Sequence, residues 1–425
     1  MISINKLKVL FKLYFKGIIF FAIIILPLKL HAQYSLNSTY SFFGIGDIKP
    51  ALPIRSEAMG GASLASPSEN YINNLNPASL SRFDSTSFIF TAGIEGYLSS
   101  FQSRNVIKSA TDLNFNHIAF GFPIKKWWGA ALGVSPLSRV GYNVTLSLPI
   151  EGTTNFFETK FSGSGGVTQY YMLNSIHPVK QLSLGINVSY LMGTIEHTEL
   201  DKLSVFDYPD VTKTDTRYFR NFYYLFGLQF DQKIGKHRLS AGITFSPHQK
   251  LKIRHDVEIL IPSVDTIRSE PDSRDNFEMP IAIGAGIAFN INSVFELAFD
   301  YGLEKWSDVE NSFRRARLTD SYHYNFGVEF SPAEKLTRNY LREMKYRAGV
   351  YYQKNYIEMR GNEILDRGVT LGAGLPIGRG RSTLDIAIEL GRLGTLNDGL
   401  VQETYGSLKL GFNFHDYWFI KRRFD

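Results

Sequence analysis

The residue types best able to do covalent chemistry are scattered along this chain rather than gathered. Ser162-Gly163-Ser164-Gly165-Gly166 sets two serines among glycines, yet it lacks the Gly-x-Ser-x-Gly spacing that presents a nucleophile on a tight elbow. It falls in a predicted loop and reads as flexible linker. The nine histidines contain no His-x-x-x-His pair, so no zinc site is predicted. Cysteine is absent, which excludes disulfides, thiolate metal sites, cysteine catalysis and a lipid-modified N-terminal cysteine. Glu296, Asp300, Glu329, Asp385 and Glu389 lie on the polar faces of alternating segments, where paired carboxylates for hydrolysis would have to converge. A water-filled interior wall carries such charges ordinarily, and that is the preferred reading. Arg314-Arg315-Ala316-Arg317 falls in a predicted outer loop, placed to meet anionic lipopolysaccharide or simply solvent. No catalytic residue, cofactor or metal site is predicted, and the chain is not expected to be an enzyme.

The elements that would position these side chains are strands. After about residue 86, apolar residues alternate with polar or small ones, a period of two rather than 3.6. In Ser382 to Arg392, Leu384, Ile386, Ile388 and Leu390 share one face and Asp385, Ala387, Glu389 and Gly391 the other. Such runs give candidate strands at 86–99, 112–123, 127–140, 166–177, 181–195, 220–233, 237–252, 278–290, 294–306, 321–331, 344–354, 368–377, 382–392 and 403–414. Fourteen is an even number, and each run is long enough to cross a bilayer at a tilt. Short links near Lys125, Lys180, Gly235, Asn290–Ser293 and Gly378–Arg381 alternate with long ones, about 25 residues after Val140, 24 after Ile195, 25 after Lys252 and 14 after Trp306. The link Pro332 to Glu343 is too long for a tight turn and suggests a short helix. Trp127, Trp128, Tyr170, Tyr171, Tyr351 and Tyr352 sit near strand ends, as an interfacial girdle would place them. A soluble sandwich rarely sustains fourteen strands in one domain. The expectation is an all-β, transmembrane antiparallel β-barrel over 86–414, with a periplasmic tail at 415–425.

The first residues carry lysines and then the apolar run Gly17 to Leu28, the plan of a secretory signal peptide, with a cut expected after Ala32. Removing residues 1–32 removes five lysines and no acid, so the formal charge falls from +6 to +1. The basic balance belongs to the leader, and nucleic acid is not an expected partner.

Residues 33–85 do not alternate. They hold Arg55-Ser56-Glu57-Ala58-Met59-Gly60-Gly61-Ala62 and then Asn76-Pro77-Ala78, just before the first strand. This arrangement resembles the N-terminal hatch of FadL-type outer-membrane transport proteins, especially their PorV-like branch, and the tail from Trp418 to Asp425 looks like the tails of PorV-like relatives. The resemblance implies a hatch segment closing the lumen, with Gly60, Gly61, Ala62, Asn76, Pro77 and Ala78 as its gate. A fourteen-stranded barrel encloses more space than small side chains fill, which is the physical reason for such a plug. Pro136 cannot donate to a ladder, so the third strand should kink there; FadL-type barrels resemble this in having a lateral gap at a kinked third strand. The implied function is passive, hatch-gated uptake of hydrophobic small molecules, of the long-chain fatty acid or aromatic hydrocarbon class. The alternative is a PorV-like docking or shuttle barrel for secretion-system proteins. Expected partners otherwise are outer-membrane lipid, lipopolysaccharide and, during biogenesis, the barrel-assembly machinery. The expected location is the outer membrane of a Gram-negative bacterium, with both termini periplasmic.

Overall fold

The computed structural model describes residues 38–67, 69–84, 86–104, 106–203, 209–261, 265–310, 317–332, 339–377 and 381–417. Fourteen antiparallel strands form one closed barrel. They are β1 (Ser87–Ser103), β2 (Val106–Lys125), β3 (Trp128–Pro149), β4 (Phe156–Val179), β5 (Leu182–Leu203), β6 (Val211–Ile234) and β7 (His237–Ser246 with Gln249–Ile261). β8 (Asp265–Met279 with Ala282–Ile291), β9 (Phe295–Glu304), β10 (Ser321–Phe330), β11 (Lys345–Met359), β12 (Asn362–Pro376), β13 (Thr383–Gly394) and β14 (Gln402–Tyr417) follow. Each pairs with its sequence neighbour, and the β14–β1 ladder from Gln402↔Gln102 to Tyr417↔Ser87 closes the ring. All fourteen candidate segments are strands.

The apolar face points outward, the reverse of a soluble sandwich. On β13, Ile388 and Leu390 are 49% and 58% exposed, while Asp385 and Ala387 are buried inside. Among the described residues no helix is long and apolar enough to cross a membrane.

Several boundaries differ from expectation. The strands β3 to β6 are 22, 24, 22 and 24 residues long, where about 9–11 suffice to span a bilayer. The expected 25-residue link after Val140 is therefore mostly strand, with only residues 150–155 between β3 and β4, and the links after Ile195 and Lys252 are likewise largely strand. Ser162 to Gly166 lies inside β4, not in a loop, because backbone neighbours crowd it from both sides: a Cβ on Gly165 or Gly166 would collide with the carbonyls of Thr194 and Ser138. After Trp306 the chain makes a short 3-10 turn, Trp306–Asp308, then returns through Arg317–Leu318 beside β11. The helix expected before β11 is present at Tyr340–Glu343. Tyr171 is buried and Tyr351 faces the lumen, whereas Trp127 and Tyr170 are exposed; adjacent strand residues point to opposite faces, so only one of each pair can serve a girdle. The last strand runs through Tyr417, past the expected boundary at 414. The leader, Arg314-Arg315-Ala316 and Trp418 to Asp425 lie outside the described residues.

The N-terminal segment fills the lumen twice. Ser38–Ile48 occupies the far end, where Phe43 and Ile45 join Val140, Tyr142, Leu191, Phe219 and Trp306 in the largest apolar cluster. Asp47–Ile48 pairs with Arg139 and Ser138 of β3. Pro53 to Phe83 then forms a hatch at the other end, with a helix Ile54–Glu57 and a 3-10 helix Pro77–Arg82. Ser38 donates to Glu403 near the start of β14, while that strand ends at Tyr417 beside Ser87. The described chain thus begins and ends at opposite ends of the barrel.

Candidate functional site

The gate motifs sit against opposite walls. Gly60 and Gly61 have φ of +67° and +85°, conformations that side chains resist. They turn the chain against β11 and β12, where Gly60 N–H donates to Thr370 Oγ1 at 2.9 Å. Ala62 is buried against Met59, Ala288 and Ala298. Across the lumen, Asn76 caps the 3-10 helix by accepting from Ala78 N–H at 3.1 Å, and Pro77 takes the first helical position, where no N–H is needed. The Asn76 amide also donates to Leu64 O and to Leu228 O of β6. Both motifs are seated on wall glycines: a Cβ at Gly349 would strike the Met59–Gly60 peptide, and one at Gly185 would strike Ala78.

Side chains the sequence reading passed over hold the hatch. Arg55 donates to Glu329 at 2.9 Å and Glu296 at 3.1 Å, and Glu329 also accepts from Arg347 at 2.6 Å, which reaches Asp385 at 2.6 Å. Burial would lower the Arg55 pKa, but Glu329, Tyr71 and Glu296 hold it well above the ordinary value. The Tyr71 ring lies 4.7 Å from that guanidinium, and burial pushes its phenol up to about 12. On the next wall, Lys409 donates to Glu57 and Glu389, each at 2.7 Å, with Glu95 at 3.4 Å. Burial pushes the Glu57 carboxyl up against the pull of Lys409. Asp300 accepts from Ser63 and Leu64 N–H at 2.6 and 2.8 Å. Glu296, Asp300 and Glu329 are therefore paired with hatch groups, while Asp385 and Glu389 are paired with the wall cations Arg347 and Lys409. The signal available in sequence was Arg55 and Glu57 within the hatch, opposite inward-facing acids and bases on strands.

Between plug and hatch lies a cavity of about 350 Å³, lined by polar groups such as Lys49, Glu57, Asp300 and Lys409 and by apolar Leu52, Leu64, Leu137 and Ile283. A second hollow of about 240 Å³ at the far mouth is lined by Phe42, Phe43, Val144, Phe161, Met359 and Leu400.

Pro136 marks a break in the wall. The β2–β3 ladder runs only from Lys125↔Trp128 to Ile118↔Val134. Beyond it β2 stays with β1 and β3 with β4, and the β3–β4 register slips between Pro136 and Ser138. Asn114 and Asn116 on one side of this split and Leu137 and Arg139 on the other all line the cavity. Two groups bridge it: Asp47–Ile48 covers the β3 edge, and Arg139 donates to Phe115 O at 2.7 Å.

A family model described as BamG matches residues 14–425. No curated protein sequence matches the chain. The fold is similar to the toluene transporter TbuX of Ralstonia pickettii, with 13% identity, TM-score 0.58, 89% of this chain and 100% of that one covered. It is similar to a Pseudomonas aeruginosa FadL homologue, with 12% identity, TM-score 0.58 and coverage of 88% and 100%. It is also similar to the Pseudomonas putida toluene transporter TodX, with 14% identity, TM-score 0.55 and coverage of 88% and 99%. The barrel and its lumenal segment thus have the FadL-type outer-membrane fold.

Proposed function

The chain belongs to the BamG family, and from that footing we propose that it carries hydrophobic or amphipathic small molecules across the outer membrane, releasing them sideways between β2 and β3 over a hatch that stays seated. The observation that carries this reading is the split beside Pro136, whose two edges both line the lumenal cavity. Cargo would meet the apolar far mouth first, pass the plug, and leave the cavity when Asp47–Ile48 and Arg139 release the β3 edge. The hatch is the floor of this route, because moving it would expose Arg55 and Lys409 and their partners, and breaking a buried ion pair costs about 3–5 kcal/mol. No covalent chemistry is required. The toluene transporters that share this fold support the cargo class.

The test is transfer of a pyrene-labelled long-chain fatty acid from protein-free vesicles into vesicles holding the purified barrel. Replacing Pro136 with valine restores a ladder donor and is expected to slow transfer several-fold; an unchanged rate would sink the lateral route.

A second reading, a docking or shuttle barrel for secreted proteins, is favoured by the β3–β4 hairpin. Its strands overrun the bilayer, and Val144, Leu146, Leu148 and Phe156 stand exposed there. Native mass spectrometry of the gently extracted protein separates the two: a bound apolar small molecule supports the carrier, and a stoichiometric polypeptide supports the docking barrel.

A further inference from the structure

Four strands further round the ring, the wall carries a second break of a different kind. β6 pairs with β7 from Ile234↔His237 to Phe226↔Phe245 and again from Phe219↔Ile253 to Thr212↔Leu260. Between these ladders, residues 220–225 of β6 and 246–252 of β7 share no backbone pair, and β7 carries one residue more. The cause is local. β7 is interrupted at Pro247 and β8 beside it at Pro280, and neither residue has an N–H to give. The two interruptions lie side by side, with Met279↔Gln249 and Ala282↔Ser246 flanking them.

Two side-chain amides replace the missing ladder. Asn221 donates to Lys252 O at 2.9 Å and accepts from Lys252 N–H at 2.8 Å. Gln249 accepts from Tyr224 N–H at 2.9 Å and donates to Tyr224 O at 3.2 Å. Each amide thus makes the reciprocal pair a peptide would make, but from a side chain that can rotate away without moving a strand.

What lies on either side of this seam points to a ligand. Inside, Tyr223, Leu225, Thr244, Met279 and Ala282 line the lumenal cavity. Outside, Phe222, Tyr224 and Phe226 are exposed at 57%, 39% and 43%. Next to them stand exposed Arg220, Lys250 and Lys252, and of these only Lys250 has an acidic partner among the described residues, Glu278 at 2.7 Å. An apolar step topped by unpaired cations is the complement of an anionic headgroup on an acyl chain.

We propose that the seam between β6 and β7 is a second lateral port into the cavity, which admits the acyl chain of an anionic amphiphile when the Asn221 and Gln249 amides let go, its headgroup held by Arg220 and Lys252. This rests on the carrier reading. The port gives the lumen a second wall opening besides the split beside Pro136, so that cargo already in the membrane reaches the cavity without passing the plug.

The chain has no cysteine, so a reversible lock is clean. The probe is a photoreactive long-chain fatty acid in phosphatidylcholine vesicles containing the barrel, with adducts mapped by mass spectrometry. In the variant Asn221→Cys with Leu251→Cys, which faces two thiols inward and leaves Arg220 and Lys252 in place, oxidation is expected to lower labelling of Tyr223 and Leu225 several-fold, and reduction of the same sample to restore it. Asn221→Ala with Gln249→Ala is expected to raise labelling at those residues. Full lumenal labelling in the oxidised lock, together with its loss in Pro136→Val, would overturn the port and leave the carrier standing. An unlabelled lumen in the unmodified protein would overturn both.

Discussion

The N-terminal segment closes the lumen at both ends, mainly by apolar packing tied down at Glu403 at the far end and mainly by ionic contacts at the hatch end. At the far end Phe42, Phe43 and Ile45 pack against aromatic and aliphatic walls, with Phe42 rings at 5.0 and 5.2 Å from Phe43 and Tyr142. At the hatch end buried ion pairs, a doubly accepting Asp300 and peptide-on-glycine seats hold the chain. Apolar packing is non-directional and tolerates sliding, whereas a buried charge that loses its partner is heavily penalised. On this comparison we expect the plug to yield before the hatch.

The largest test of that contrast is Arg55→Met. It leaves Glu329 and Glu296 without their hatch cation and should cost about 3–5 kcal/mol, read as loss of hydrogen-exchange protection across residues 54–83. Gly349→Val comes next. Its side chain would occupy the space of the Met59–Gly60 peptide, and such overpacking costs roughly 3 kcal/mol, read as a lower yield of folded barrel by heat-modifiable gel mobility.

Glu57→Gln should be milder, about 1 kcal/mol, because Lys409 keeps Glu389 and Glu95. Its pH dependence has a definite sign. Folding raises the Glu57 pKa above the ordinary 4.5, so this group's contribution is fully present below that value and is lost as pH rises through the raised one. Hatch protection should therefore shift in favour of Glu57→Gln as pH rises; a pH-independent difference would place the carboxyl outside the buried cluster. The smallest effect belongs to the plug. Phe42→Leu nearly conserves apolar volume and should cost under about 1.5 kcal/mol, read by the same exchange at residues 38–48, with hatch protection unchanged.

How much of this was legible beforehand follows from the physics of each feature. Alternation at Leu384 to Leu390 or Leu408 to Phe414 reports a two-faced strand directly, so the fourteen strands and their order were readable. Strand ends were not. Outside the bilayer nothing forces one face to be apolar, so the outer halves of β3 to β6, with Asn143 to Ser147 exposed on both faces, lose the contrast that marks a strand. The Asn76-Pro77 cap was visible as a motif because it is local. Arg55 with Glu329, and Lys409 with Glu57, were not, since partners more than 270 residues apart meet only after the ring closes. Pro136 was identified from its missing donor. Pro247 and Pro280 carry the same signal, but their alignment across β7 and β8 needed the register.

The most direct test of the account is a lock on the hatch. Ser81 and Ser183 hydroxyls lie 2.8 Å apart, joining hatch to β5, so Ser81→Cys with Ser183→Cys is suited to a reversible disulfide in a chain without other cysteines. Transfer of the pyrene-labelled fatty acid is measured in oxidised and reduced samples of the same vesicles. Equal rates are predicted, because cargo leaves through the wall above a seated hatch. Transfer abolished by oxidation and restored by reduction would contradict the account and make the hatch the gate.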